Sequence, residues 1–215
     1  MLACLGAGIS FFGVFQYFKG VLFNGTKPRM ASWVAWFTAN MVFSIVALQE
    51  GALLAVGINI AAALGNALII GASMRRGVAL KPSDSTDWWC LGASLVCVVV
   101  VVLLPDSRAL TAVFAIAANV IATIPTLRHA WTLPHEETWQ LFAANGLASL
   151  SGYVGVVLVS GLDIAVTAGP LVAIMGNVAL ASITIGRQYR VASIVTMEIE
   201  QLKVSVVPRQ DIEEE

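Results

Sequence analysis

Charge is what this chain of 215 residues most lacks. Asp, Glu, Lys and Arg together make up 12% of it, about half of the roughly 25% carried by a soluble domain. With 58% hydrophobic residues and a mean hydropathy of +0.84, there is too little polar surface to coat a globule in water. Disorder needs the opposite balance, few apolar residues and many charges, and is excluded with it. A net charge of −1 and an isoelectric point near 6.1 leave no basic field for nucleic acid. Cysteine is scarce as well. Cys4, Cys90 and Cys97 form no CxxC pair and fall in apolar stretches, which indicates neither a disulfide framework nor a zinc site. What remains is an integral membrane protein.

A membrane helix needs about 20 mostly apolar residues. Seven stretches are read as spans: Leu2 to Phe18, Ala31 to Leu48, Ala52 to Ser73, Trp88 to Leu104, Leu110 to Thr126, Trp139 to Ser160, and Ile164 to Ile185. The first has no basic residue ahead of it, and its first charge, Lys19, follows the apolar run; it reads as a retained span and not a signal peptide. With seven spans, 11 of the 12 basic residues fall on one face and only Arg108 on the other. The positive-inside rule then puts the N-terminus outside and the C-terminus in the cytoplasm, as suits a plasma (inner) membrane protein. Trp88 and Trp89 open span 4 where amphipathic indoles settle. Beyond Arg190, Val191, Ile194, Val195, Ile199 and Leu202 are spaced as on a helix, so the tail is expected to continue helically until Pro208, with a disordered DIEEE end.

The chain also matches itself. Thr26-Lys-Pro28-Arg-Met-Ala-Ser32-Trp33-Val-Ala-Trp36 leads into span 2, and Thr132-Leu-Pro134-His-Glu-Glu-Thr138-Trp139-Gln-Leu-Phe142 leads into span 6, at an offset of 106. Gly65-Asn66 in span 3 corresponds to Gly176-Asn177 in span 7, and Gln16-Tyr-Phe-Lys19 to Pro125-Thr-Leu-Arg128. Spans 1–3 and 5–7 thus read as two copies of one unit. A three-span unit inverts its successor, and span 4 restores the direction, so the copies run parallel about an axis along the membrane normal. The expected fold is all-α, seven transmembrane helices in a 3+1+3 plan: 1–76 the first repeat, 77–108 the linker helix, 109–190 the second repeat, 191–215 a cytoplasmic tail. A solute site is expected between the halves near the midplane.

Uncharged amides within the spans are the polar groups available to line it: Gln16, Asn40, Asn59, Asn66, Asn119, Asn145 and Asn177, with Gln140 near the start of span 6. In lipid an amide must find partners. Asn40, Asn59, Asn119 and Asn145 read either as interhelical ties or as site residues. The repeat-paired Asn66 and Asn177 are expected to face each other across the axis as binding residues. Pro28 and Pro134 are expected to start helices, with Ser32 and Thr138 in the first turns. Trp33, Trp36 and Trp139 are either interfacial belt or gate packing. Pro125 either kinks span 5 and supplies a hinge or ends it.

In these residues the chain resembles the SWEET and PQ-loop transporter superfamily: seven spans in a 3+1+3 plan, a helix-end Gln or Pro motif, a proline-led second helix and an asparagine in the third helix of each unit, over roughly residues 5 to 190. The resemblance implies a membrane carrier whose third-helix asparagines, here Asn66 and Asn177, bind a sugar-like solute at the midplane. The family's PQ pair stands as Phe15-Gln16 in unit one and as Pro125-Thr126 in unit two. Gln16 and Pro125 are then gate and hinge residues, alongside the loop prolines and tryptophans.

Other classes fit less well. His129, His135, Glu136 and Glu137 share one short loop without a helical histidine pair, a solvated loop and not a metal site. No Ser-His-Asp arrangement is evident, span 7 has no lysine for a retinal Schiff base, and neither an enzyme nor a cofactor is expected. Two alternatives remain within the plan: a vitamin-precursor channel of the nicotinamide riboside type, or a non-transporting receptor or assembly protein. Expected partners are a small polar solute, the lipid bilayer and, in the oligomeric case, further copies of the chain. All thirteen carboxylates and both histidines are assigned to loops or tail; Glu137 borders span 6 and is placed nearest the cytoplasmic mouth. With no titratable group at depth, the expected carrier is a passive facilitator.

Overall fold

The structure, a computed structural model, describes residues 2–49, 53–78, 82–104, 108–162 and 164–206. Every regular element among them is helical: α1 (Leu2–Phe23), α2 (Met30–Gln49), α3 (Leu53–Arg75), α4 (Ser85–Leu103), α5 (Arg108–Thr132), a 3-10 turn (Pro134–Glu136), α6 (Trp139–Ser160) and α7 (Ile164–Val206). One helix occupies each expected span. Six helices are long and apolar enough to cross a membrane over their described residues, and the corresponding apolar part of α2, Met30–Ile45, is shorter. Their outward surface suits that setting. Phe11 (71%), Leu64 (60%), Val96 (62%) and Leu158 (74%) lie open, an apolar coat that lipid tolerates and water does not.

Several helix ends differ from the sequence reading. α1 runs five residues past Phe18, and α5 continues through Pro125 to Thr132 instead of stopping at Thr126. Pro125 therefore does not end the helix. Pro28 and Pro134 do not start α2 and α6 either: Pro28 lies in the connection two residues before α2, and Pro134 opens the separate 3-10 turn. α7 is one helix of 43 residues that carries on through the tail to Val206, as the spacing of its apolar residues predicts. Pro208 and the acidic end lie outside the described residues.

The packing order is simple. α3 packs against both α1 and α2, and α7 against both α5 and α6. α1 meets α6, α2 meets α5, and the six helices close a ring in the order α1, α3, α2, α5, α7, α6. α4 lies against α2 and α5. There Ser94 donates from Oγ to the Ala118 carbonyl at 3.0 Å, beside a buried cluster of Ala39, Cys97, Val98 and Ala118. Cys90 and Cys97 are buried free thiols.

The α1–α6 contact depends on three glycines seven residues apart, hence on one face of α1. A Cβ on Gly13 would sit 2.7 Å from the Ala144 Cβ and 3.2 Å from the Leu141 backbone; one on Gly20 would sit 2.5 Å and 2.6 Å from the hydroxyls of Thr26 and Thr138; one on Gly6 would meet the Ala148 carbonyl at 3.2 Å. Small residues let two backbones approach closely, which is how helices associate in lipid without a hydrophobic drive between them.

Candidate functional site

The connections α1–α2, α3–α4 and α5–α6 meet at one end of the ring. Lys27 pairs with Glu136 of the 3-10 turn, Arg29 with Asp87 in the first turn of α4 at 3.6 Å, and Arg128 at the end of α5 with Asp84 at 3.6 Å. Lys27 N–H also donates to the Glu136 carbonyl at 2.8 Å, and the Thr26 and Thr138 hydroxyls share a hydrogen bond of 2.6 Å. On α7, Gln188 donates from Nε2 to the carbonyls of Pro134 (2.8 Å) and Glu137 (3.0 Å), while the Arg187 guanidinium covers the Trp131 ring at 5.0 Å. The two connections that carry the repeated T-x-P motif are thus tied directly to each other. Asp84 caps α4; the Asp87 N–H it accepts, with Arg128 and Arg29 nearby, holds its carboxyl below the usual carboxylate range.

Beneath these pairs the ring is filled. Tyr17, Val21, Trp33, Ile69, Ala72, Leu141, Phe142, Leu180 and Ala181 form one buried cluster drawn from α1, α2, α3, α6 and α7. Tyr17 is at its centre, fully buried, 5.0 Å from the Trp33 ring and edge-on to Phe142 at 6.1 Å. Its hydroxyl donates to Glu137 Oε2 at 2.8 Å. Glu137 is 2% exposed and its Oε1 has no hydrogen-bond partner among the described residues. Burial pushes this carboxyl up to about 8; the Tyr17 hydrogen bond and Arg29 pull the other way, and Glu136 adds to the rise.

Three sequence assignments change here. Glu137 is in the connection but faces the interior. Asp87 is buried in the first turn of α4, and His129 belongs to α5, 3% exposed with Nε2 3.4 Å from Glu136. The α5–α6 connection is therefore not a solvated loop throughout; His135 alone of the two histidines is exposed. The sequence could not single these groups out, because Glu136 and Glu137 are adjacent and identical in type. The expected gate residues divide. Trp33 is buried against Tyr17, and Trp36, half-buried, lies edge-on to it at 5.5 Å, so both take part in the aromatic packing at this end. Trp139 is half-buried, whereas Trp88 and Trp89 are open at the start of α4. Gln16 is half-buried without a hydrogen bond among the described residues, and its neighbour Tyr17 makes the contacts. One residue beyond Pro125, the Thr126 N–H donates to Ser32 Oγ at 3.3 Å, tying α5 to α2.

The amides behave in three ways. Asn145 accepts at Oδ1 from Ser10 at 2.8 Å, linking α6 to α1. Asn40, Asn119 and Asn177 each donate from Nδ2 to the carbonyl four residues earlier, at 2.8, 3.2 and 2.9 Å, and their Oδ1 atoms bond nothing among the described residues. Asn66 and Asn59 are half-buried and bond nothing among them. Asn177 packs beside Gly146 of α6, where an added Cβ would lie 3.6 Å from its own. Among the described residues the α3 and α7 backbones do not come together, so Asn66 and Asn177 are carried on opposite sides of the ring. The arrangement is a bundle sealed at one end by aromatic packing and ion pairs, with the Glu137 carboxyl inside the aromatic cluster and with asparagine amides on α2, α3, α5 and α7 whose oxygens bond no other described residue. No group of three or more metal-ligating side chains occurs among the described residues. No protein-family model, curated protein or solved structure matches the chain.

Proposed function

We propose that the chain is a membrane carrier of a small, uncharged polar solute of sugar-like chemistry, built as 3+1+3 and working by alternating access. One observation carries this reading. The third helix lies between the first and second in both α1–α3 and α5–α7, and the two sets meet through α1–α6 and α2–α5, the pairs a two-fold axis would exchange. The T-x-P motif repeats in step with that pattern, and α4 is then the linker. Two like halves around one axis can rock against each other, opening the axis to each side in turn.

The sealed end carries Lys27, Arg29 and Arg128, so it is the cytoplasmic gate, drawn shut. Asn66 and Asn177 face the solute from opposite halves, with Asn40 and Asn119 offering further acceptors. An amide oxygen without a partner among the described residues accepts from a hydroxyl or from an N–H, and a polyol is one solute that supplies such donors. With no carboxylate at mid-span, flux follows the solute gradient. The test is counterflow in proteoliposomes with labelled glucose, xylose and sucrose, after a thermal-shift screen of sugars, amino acids and nucleosides. Counterflow of a sugar supports the reading; a chain that binds a ligand but moves none across the membrane is a receptor, and the proposal fails.

A further inference from the structure

We infer that Glu137 is a proton latch on the cytoplasmic gate: it carries a proton while the gate is shut and releases it to the cytoplasm as the gate opens, so that cytoplasmic acidification holds the carrier closed. This rests on the carrier reading above and adds its regulation.

The geometry is that of a group placed across a parting line. Glu137 belongs to the connection ahead of α6, and its one side-chain partner, the Tyr17 hydroxyl, belongs to α1 in the other half. Tyr17 is itself locked between Trp33 and Phe142. Opening the gate must break this hydrogen bond and wet both groups. In the shut gate Oε2 is occupied by Tyr17, and Oε1 is buried with no donor among the described residues. An ionised carboxylate left half-satisfied in a dry site costs far more than the neutral acid does.

The surrounding charges do not supply the missing partner. From the α1–α2 connection, Lys27 is engaged by Glu136 and Arg29 by Asp87 of α4. From α5, His129 faces Glu136. From α7, Gln188 bonds the backbone carbonyls of Pro134 and Glu137 and leaves the carboxyl alone. α1 contributes Tyr17 and α2 the Trp33 indole, neither of them charged. The bond that breaks on opening is the Glu137 O–H, and its proton passes to water; no electron moves. The carboxyl is held at about 8 in the shut state by burial, against an ordinary value of 4.5, so the open state wins as pH rises between those limits. Within that window the opening constant grows by up to about tenfold per pH unit.

The experiment needs no solute. Val21 and Ala72 are buried in the seal (2% and 5% exposed), so a cysteine at either position reacts with a small, membrane-impermeant methanethiosulfonate only when the gate opens. Val21→Cys and Ala72→Cys are made separately in a chain with Cys4, Cys90 and Cys97 replaced by alanine. The reaction rate is divided at each pH by that of a free cysteine peptide. With Glu137 present, the corrected rate should rise at least tenfold from pH 5.5 to 7.5 at both sites. In the Glu137→Gln background, which fixes a neutral side chain, it should be flat and low. A flat profile with Glu137 present, or the same rise in Glu137→Gln, overturns the latch. Failure of the carrier reading looks different: pH-dependent alkylation persists while no sugar shows counterflow, which supports a proton-controlled opening in a protein that is not a carrier of those sugars.

Discussion

Replacing Gly13 by alanine should be far more harmful than replacing Gly8, five residues away on the same helix. The Cβ of Gly13→Ala would lie 2.7 Å from that of Ala144 and 3.2 Å from the Leu141 Cα and carbonyl, whereas nothing lies within 4 Å of a Cβ at Gly8. Carbon atoms rest at about 3.5–4.0 Å, so α1 and α6 must part by roughly 1 Å at their closest point. Overpacking of that order costs about 1–3 kcal/mol. Alanine also favours the helix over glycine by about 1 kcal/mol, but that gain is common to both variants and cancels in the comparison. For a chain of this size 1 kcal/mol moves Tm by roughly 2–4 °C, so Gly13→Ala should melt about 2–12 °C below Gly8→Ala. The measurement is loss of the folded species on heating in one detergent, followed by size-exclusion chromatography. Adding Ala144→Gly removes the 2.7 Å contact and leaves only those at 3.2 Å, so the double variant should recover part of the loss, although Ala144→Gly alone costs about 1 kcal/mol. Equal melting of Gly13→Ala and Gly8→Ala, or no recovery in the double variant, would show that α1 and α6 are not in close backbone contact.

Stability should also depend on pH through Glu137. Its folded-state value is raised to about 8 from 4.5, so the folded protein binds the proton more tightly, and this contribution is full below about 4.5 and lost as pH rises to about 8; Glu137→Gln should flatten that part of a Tm-against-pH curve. Ser94→Ala removes the buried hydrogen bond from α4 to the Ala118 carbonyl and should cost about 1 kcal/mol, read as a lower melting temperature; an unchanged value would mean that packing alone holds α4. Asn66→Ala and Asn177→Ala should each abolish sugar counterflow at near-normal folded yield, whereas a tying role would lower the yield and spare the activity of what folds. A membrane-impermeant thiol reagent should reach Arg76→Cys from the cytoplasmic side alone and Leu162→Cys from the outer side alone; labelling of both from one side is incompatible with the seven-span topology.

The helices were legible in the sequence because the bilayer demands them. A backbone in hydrocarbon must satisfy its own hydrogen bonds, so an apolar run of about 20 residues has one available form, and α2, α4 and α6 begin and end within a few residues of where hydropathy puts them. The gathering of basic residues at one end was legible too, and Lys27, Arg29 and Arg128 meet acidic partners there. Helix ends were less so. Pro125 could be read as a kink or as a stop, and α5 runs on through it, with Ser32 of α2 accepting from the next N–H; that contact from a neighbouring helix is not written in the local sequence. Pro28 and Pro134 marked the right places without being the first residues of α2 and α6.

The interior could not be read. In a soluble protein the polar face of a helix marks the outside, but here lipid and core are both apolar, and the pattern that separates them vanishes. On α1 nothing in the sequence distinguishes Gln16, which bonds no described residue, from Tyr17, which anchors the seal, or Phe11, open to lipid, from Val21, buried among five helices. The same holds for Glu136 and Glu137. One reaches outward to Lys27, the other inward to Tyr17, because a 3-10 turn of three residues ends between them and the chain then extends into α6. Sequence determined how many helices there are and which way the charged end faces in the proposed topology. Which carboxyl is buried was decided by the direction of one short turn, and that direction is set by contacts with α1 and α7 that exist only once the bundle has closed.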